Sequence, residues 1–359
     1  MKIAIDVQTT LGQKTGFGFY VENLVNNLKK YDGANDYSLI QPKKDVDLST
    51  PERFMWDQFR FPSIAKHLHA DILHQPCFSA PVFHNKMKVV VTIHDLIAIR
   101  FGKDIPFFSR QFFGRWMPFS YRFADKIIAV SEHTKKDIVK FLHVPENKIQ
   151  VIYSAVSENF NDKISKDEVV SIKKKYHTGE KYFLHTGTLN PRKNLEFLVK
   201  VYAEILKSNN EYNLVITGKK GWYYEGLFSL IKNLGLEKKV IFTGYIPDED
   251  APILYKGASI FLFPSLYEGF GFPPLEAMAT GTPVISSNTS SLPEVVGKAG
   301  ILISPRLEAD WVYAVKKLID NKNLHRQMSL AGLDQAKKFS WKKCALETLD
   351  LYKKTLGTK

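Results

Sequence analysis

Cysteine is nearly missing: Cys77 and Cys344 are the only two in 359 residues. That excludes a disulfide framework and a cysteine metal site, and it points to a reducing, cytoplasmic setting. Long apolar runs are missing too, since no stretch approaches the roughly 18 residues a spanning helix needs. The N-terminal MKIAIDVQTT carries Asp6 inside its short apolar run and lacks a small-residue cleavage site, so it predicts a first strand and not a signal peptide. Acidic residues are outnumbered, with 37 Asp and Glu against 50 Lys and Arg, for a net charge of +13. So basic a chain attracts phosphate in some form. Zinc-finger spacings, heptads and glycine-aromatic RNA-binding signatures do not accompany the charge, which disfavours nucleic acid. Phosphorylated small molecules and anionic lipid headgroups remain.

The composition that is present, 44% apolar and 24% charged, is that of a soluble globular protein. The length fits two domains of about 150–200 residues each. Strand-like and helix-like segments alternate throughout, which predicts an α/β fold with parallel sheets. In the first half, strands are predicted from Lys2, Tyr37, Asp71, Lys88, Lys126 and Lys148; in the second, from Tyr182, Asn213, Lys239, Ser259, Pro283 and Gly300. Helices begin near Gly18 and, capped by Ser131, near Glu132. A polar, lysine-rich stretch after Ser157 separates the halves, and 307–358 reads as helix throughout. The expected domains are 1–165 and 166–340, with a final helix at 341–359 crossing back to the first. Ligands gather outside the carboxyl ends of parallel strands, so both halves are expected to present loops to one shared crevice.

Four segments carry chemistry. From Phe263 runs FPSLYEGFGFPPLEAMATGTPVISSNTSSLPEV. Here Glu268 and Glu276 flank a Gly-Phe-Gly turn (Gly269, Phe270, Gly271) that opens a helix, with Pro273 and Pro274 suited to its first turn. Backbone N–H groups at such a helix start form an anion site. From His185 runs HTGTLNPRKNLEFLV, which places Arg192 and Lys193 at a helix start. Paired cations on a helix are ordinarily a solvated face, yet here they oppose the macrodipole, and a bound diphosphate would resolve the conflict. The strand VTIHDLI sets His94 and Asp95 at its carboxyl end, where a histidine is as readily structural as functional. Last, TTLGQKTGFGFYVENL places Gly16 and Gly18 before a helix. Val21 stands where a dinucleotide fingerprint would have its third glycine, and no acid ends the second strand, which disfavours a dehydrogenase.

The Glu-x7-Glu spacing with the trailing AMATGTPVI and SSLPEV resembles retaining glycosyltransferases of the GT-B fold, glycosyltransferase family 4, and within it bacterial O-antigen mannosyltransferases. The resemblance implies two Rossmann-like domains facing across a cleft and a sugar moved from a nucleoside-diphosphate sugar to a hydroxyl with retention. GDP-mannose is the first choice of donor, and a glycan or lipid-linked species the acceptor. It implies that Arg192 and Lys193 bind the donor diphosphate in place of a metal, with Gly16 and Gly18 nearby. It assigns Glu276 to the ribose, Glu268 with the 269–271 turn to the donor sugar, and His94 to the donor sugar in a catalytic role. No cofactor is expected. The rivals are a sucrose- or glycogen-type synthase and a catalytically silent sugar-nucleotide-binding partner; a phosphorylase is disfavoured because no pyridoxal-lysine motif is present.

Some features stand apart from this pattern. Tyr153-Ser154-Ala155-Val156 replaces an Asn-Gly-Val type turn, and Ala155 enters a positive-φ turn less freely than glycine. Asp248-Glu249-Asp250 mimics an Asp-x-Asp metal signature, but it precedes a helix that its carboxylates would cap. The aromatic stretch from Phe101 to Phe123, with Lys103, Arg110, Arg115 and Arg122, is either a packed helix or a face that meets an anionic membrane through Phe112, Phe113 and Trp116. WDQFRFP, from Trp56, resembles a Trp-Glu-Gln element of the mannosyltransferases, with Asp57 replacing Glu.

Overall fold

The computed structural model describes residues 1–12, 16–43, 48–84, 86–101, 110–221 and 223–357. All twelve predicted strands form, in two parallel six-stranded sheets. The first sheet contains β1 (Lys2–Asp6), β2 (Asp36–Ile40), β3 (Ile72–Gln75), β4 (Lys88–Ile93), β5 (Lys126–Ala129) and β6 (Ile149–Val151), in the order β2-β1-β3-β4-β5-β6. The second contains β7 (Lys181–Thr186), β8 (Tyr212–Thr217), β9 (Val240–Gly244), β10 (Ile260–Phe263), β11 (Val284–Ser287) and β12 (Ile301–Ile303), in the order β12-β11-β10-β7-β8-β9. Central strands such as KVVVTI are buried on both faces after their first residue, as parallel sheets covered by helices demand. In each sheet the strand order reverses once, between β1 and β3 and between β7 and β10. At such a switch point the loops diverge to opposite faces and leave a crevice.

The chain divides into two compact units, Met1–Ala155 with Ser340–Lys359, and Val156–Phe339. The division falls at Ala155, earlier than the expected 165/166, because the linker and its helix Lys166–Lys175 pack with the second unit. That helix carries a full capping box from Ser165 and Glu168. Ala155 is buried and takes an ordinary negative φ, so the turn there needs no glycine. The terminal helix Trp341–Leu356 belongs to the first unit. Ser340 caps it by accepting from the Lys343 N–H, Trp341 meets Tyr20 edge-on, and Tyr352 shares a 2.6 Å hydrogen bond with His74 Nδ1.

Three local expectations need correction. Gly16 and Gly18 do not precede the helix; they lie in its first turn, Gly16–Tyr31, and a Cβ on Gly16 would meet nothing within 4 Å. Asp250 sits at the start of helix Ala251–Gly257 without capping it through its side chain. Its carboxylate instead accepts from Lys175 Nζ and Tyr176 Oη, both at 2.5 Å, and so fastens the linker helix. In the aromatic stretch Phe112 faces the core, at 6% exposure, while Phe119 and Phe123 face outward.

Candidate functional site

In the second unit, the loops leaving β7 and β10 are stitched together at the switch point. Leu266 N–H donates to the Arg192 carbonyl at 2.9 Å, and Asn194 Nδ2 to the Pro264 and Pro305 carbonyls. Arg192 and Lys193 lie not in the following helix but in a tight turn, Pro191–Lys193. Left-handed Asn194 (φ 58°) then redirects the chain into helix Leu195–Leu206, a conformation asparagine tolerates. Gly187, at φ 147°, gives Lys193 its path, since a Cβ there would stand 2.9 Å from Lys193 Cε. The two cations converge on one atom, Glu268 Oε1, with Arg192 Nη1 at 2.6 Å and Lys193 Nζ at 2.7 Å. Ser265 Oγ donates to the same oxygen at 2.5 Å. Lys193 Nζ also lies 4.7 Å from the Phe263 ring centroid, a cation-π contact.

These partners set the charge state of Glu268. Burial raises a carboxyl pKa, but the Arg192 and Lys193 charges and the hydrogen bonds from Lys193 and Ser265 outweigh it, holding Glu268 at about 2. Only Oε1 is engaged in the described hydrogen bonds, leaving Oε2 to face other groups. Glu276 sits one turn into helix Phe272–Ala279, which follows Gly271 (φ 120°), where a Cβ would press Leu292 Cδ2 at 3.1 Å. Its Oε2 accepts from Tyr255 Oη at 2.7 Å. Burial pushes Glu276 up to about 7, with the Tyr255 hydrogen bond and Lys193 opposing and Asp248 adding to the rise. The turn between the two acids is fixed by Ser291 Oγ, which donates to the Glu268 and Phe270 carbonyls. Gly269 is buried in it. The Phe270 ring packs against Phe272 and Phe339 and is 4% exposed, so only its backbone is placed to serve a site. The second unit thus joins a two-cation centre, an ionised carboxylate and a carboxyl that titrates near neutrality.

The first unit places His94 just beyond β4, beside its own switch point. Nε2 donates to the Pro76 carbonyl at 2.8 Å, which leaves Nδ1 as the acceptor nitrogen. The Phe17 and Tyr20 rings lie 4.8 and 4.7 Å from the imidazole, and burial lowers its pKa to about 4. His94 is therefore a neutral hydrogen-bond acceptor at physiological pH. Asp95 Oδ1 accepts from the Ile97 N–H, shaping the loop as expected of a turn-forming aspartate.

The Trp-Asp-Gln element, whose purpose the sequence left open, holds the loop on which His94 leans. Asp57 accepts from Ser79 N and Oγ at 3.1 and 2.6 Å and from Gln75 Nε2 at 2.9 Å. Gln58 Nε2 donates to Ser79 Oγ and the Ala80 carbonyl, and its Oε1 accepts from Val82 N–H. The loop after β3, which carries the Pro76 carbonyl, is thereby strapped down. Gln8 bridges Asp57 to Asp6 at the end of β1. Burial raises Asp57 well above the carboxylate range, with the Asp6 charge adding to the rise, and burial raises Asp6 to about 6 against hydrogen bonds from Gln8, Trp56 and Gln75.

Residues 167–335 match the Glycosyl transferases group 1 family and residues 29–160 match Glycosyltransferase Family 4. The chain is 34% identical over 286 residues to O-antigen chain mannosyltransferase B of Escherichia coli, covering 79% of this chain and 74% of that one. It is 32% identical over 288 residues to the serotype-specific mannosyltransferase WbdA of Escherichia coli, 77% of this chain but 35% of WbdA, so it spans about a third of that relative. Among solved structures, Anabaena HepE in complex with UDP and glucose superposes with a TM-score of 0.75 at 17% identity, over 98% of this chain and 99% of that one. With a family 4 region followed by a group 1 region on two parallel sheets, the chain belongs to the GT-B glycosyltransferases.

Proposed function

We propose that the enzyme transfers mannose from GDP-mannose to a hydroxyl of a glycan or lipid-linked acceptor, with retention and without a metal, in the assembly of a cell-surface polysaccharide. The observation that carries this reading is the convergence of Arg192 and Lys193 on Glu268 at the β7–β10 switch point. Two cations held by a single carboxylate oxygen keep an excess positive charge where a diphosphate can share them. As the glycosidic bond breaks, negative charge grows on the β-phosphate, and fixed cations in a partly desolvated site stabilise it with little reorganisation. Glu276, one helix turn away, accepts from the ribose hydroxyls. Glu268 Oε2 accepts from a hydroxyl of the donor sugar, and His94 Nδ1 accepts from another. Gly16 and Gly18, on either side of Phe17 in the first helical turn, lie near the phosphate. The two buried thiols, Cys77 and Cys344, accord with a cytoplasmic setting, and 34% identity to an O-antigen mannosyltransferase supports mannose.

The test is transfer from GDP-mannose to a mannosyl acceptor in excess EDTA, with the new anomeric centre read by NMR. An α-linked product formed at full rate in EDTA supports both the phosphate site and retention. A rate abolished by EDTA and restored by manganese would contradict the role of Arg192 and Lys193, and a β-linked product would contradict retention. Donor hydrolysis without acceptor separates this reading from a silent binding partner.

A further inference from the structure

The first unit carries six aromatic rings in a continuous surface ladder that the transfer chemistry does not use. Phe83 stacks on Phe59 at 6.0 Å, Phe59 meets Phe54 at 6.3 Å, and Phe54 meets Trp116 at 5.0 Å. Trp116 then meets Phe119 at 5.9 Å, and Phe119 meets Phe123 at 5.5 Å. Four of the six face outward, with exposures of 63% for Phe83, 44% for Phe59, 47% for Phe119 and 41% for Phe123. Folding stability does not ask for rings there, because exposed rings gain little from one another in water while offering an apolar face.

Within the segments that carry the rings, the exposed charge has one sign. Segments 53–60, 82–84 and 110–123 contain no exposed carboxylate, and their single acid, Asp57, is fully buried. Arg60, Arg115 and Arg122 are all exposed. At the Phe123 end a cavity of 360 Å³ is lined by Arg122, Leu142, His143, Val144, Pro145 and Lys148. The acids near this cavity are engaged elsewhere, Asp125 by Lys88 at 2.8 Å and Glu146 by Lys135 at 3.2 Å. Aromatic rings flanked by arginines beside a basic, partly apolar cavity match a bilayer surface: rings enter the boundary between headgroups and acyl chains while cations hold the phosphates.

We propose that this face docks the enzyme on an anionic phospholipid bilayer, with Phe59, Phe83, Phe119 and Phe123 entering the interface and Arg60, Arg115, Arg122 and Lys148 holding lipid phosphates. The surface differs from the one expected from sequence: Phe112 is core, and the ladder recruits Phe54, Phe59 and Phe83 from distant segments. It uses no residue of the donor site, so docking and transfer fail separately.

The experiment is sedimentation of the full chain with vesicles of phosphatidylcholine alone and with added phosphatidylglycerol, at low and high salt. A charge variant (Arg60→Gln, Arg115→Gln, Arg122→Gln) and a ring variant (Phe83→Ser, Phe119→Ser) are compared, with thermal melting and transfer to a soluble acceptor confirming that each is folded and active. Each cation is worth about fivefold in partition, so the charge variant is expected to bind about a hundredfold more weakly. The ring variant is expected to lose on the order of tenfold or more, and wild-type binding to require phosphatidylglycerol and weaken in salt. Binding indifferent to phosphatidylglycerol, salt and both variants overturns the proposal, as does absence of binding. A dimer formed without vesicles and abolished by the ring variant overturns it equally, making the ladder a contact between copies.

Discussion

Glu276 titrates near pH 7 because burial outweighs the Tyr255 hydrogen bond and the Lys193 charge, and this makes donor affinity pH-dependent. If the ionised form is the one that accepts from the ribose, binding follows its ionised fraction. A group of pKa about 7 is about one-tenth ionised at pH 6 and about nine-tenths at pH 8, so affinity rises by about tenfold, or about 1.4 kcal/mol, over that window. A sugar nucleotide suits the assay because its diphosphate, esterified at both ends, does not titrate there. Calorimetric binding of GDP-mannose from pH 6 to 8 is expected to strengthen in wild type and to be flat and weaker in Glu276→Gln. The same group predicts a stability trend. Its folded pKa lies above the unfolded 4.5, so its stabilising contribution is fully present below about pH 4.5 and is lost as pH rises through 7, by up to about 3 kcal/mol. Glu276→Gln is therefore expected to melt higher than wild type at pH 8 and alike at pH 4. Wild-type affinity flat across the window, or the same slope in the variant, refutes the reasoning.

The other acid behaves oppositely. Glu268 is held at about 2 by Arg192 and Lys193, so its stabilisation is present above about pH 4.5 and fades as pH falls through 2. Glu268→Gln is expected to cost about 3 kcal/mol at pH 7 by thermal or urea unfolding, since it leaves two poorly exposed cations without their anion. Gly187→Ala places a Cβ 2.9 Å from Lys193 Cε and is expected to weaken donor binding severalfold, read by calorimetry, with Arg192 untouched. His94→Ala is expected to lower kcat and leave GDP affinity near wild type. Because His94 sits at about 4, the wild-type kcat profile is expected to show no histidine inflection between about pH 5 and 8. Asp57→Ala, which frees Ser79, is expected to cost about 2 kcal/mol of stability by urea unfolding and to lower kcat more than it raises donor KM. Asp57→Glu is expected to recover part of both.

The strands were legible because parallel sheets bury both faces and leave continuous runs such as KVVVTI and YFLHT in the sequence. The site was legible as two separate segments. What the sequence did not carry was their meeting: Glu268 and Lys193 are 75 residues apart, and they touch only because β10 pairs with β7, a strand order that no local pattern encodes. Asp250 was misread as a cap because its partners, Lys175 and Tyr176, lie at the end of the linker helix. The aromatic stretch could not be divided between core and surface from sequence for a different reason. Residues Phe112–Trp116 form a wide π-type turn, followed by Pro118 in the next helix. This breaks the 3.6-residue period, turning Phe112 inward and Phe119 outward. Asp57 and Gln58 gave no usable signal, because what they hold is the irregular loop after β3.

If Arg192 and Lys193 bind the diphosphate of a nucleoside-diphosphate sugar, with GDP-mannose preferred, the donor's stabilisation of the fold depends on both cations. Thermal melting of wild type and of Arg192→Gln with Lys193→Gln, each with GDP-mannose, UDP-glucose and a dTDP-sugar, tests it most directly. At a hundred times the Kd, ligand binding adds about 2.7 kcal/mol. The account predicts a clear rise in Tm for wild type with GDP-mannose, smaller rises with the other donors, and none in the double variant. No rise with any sugar nucleotide, or an equal rise in the double variant, would contradict it.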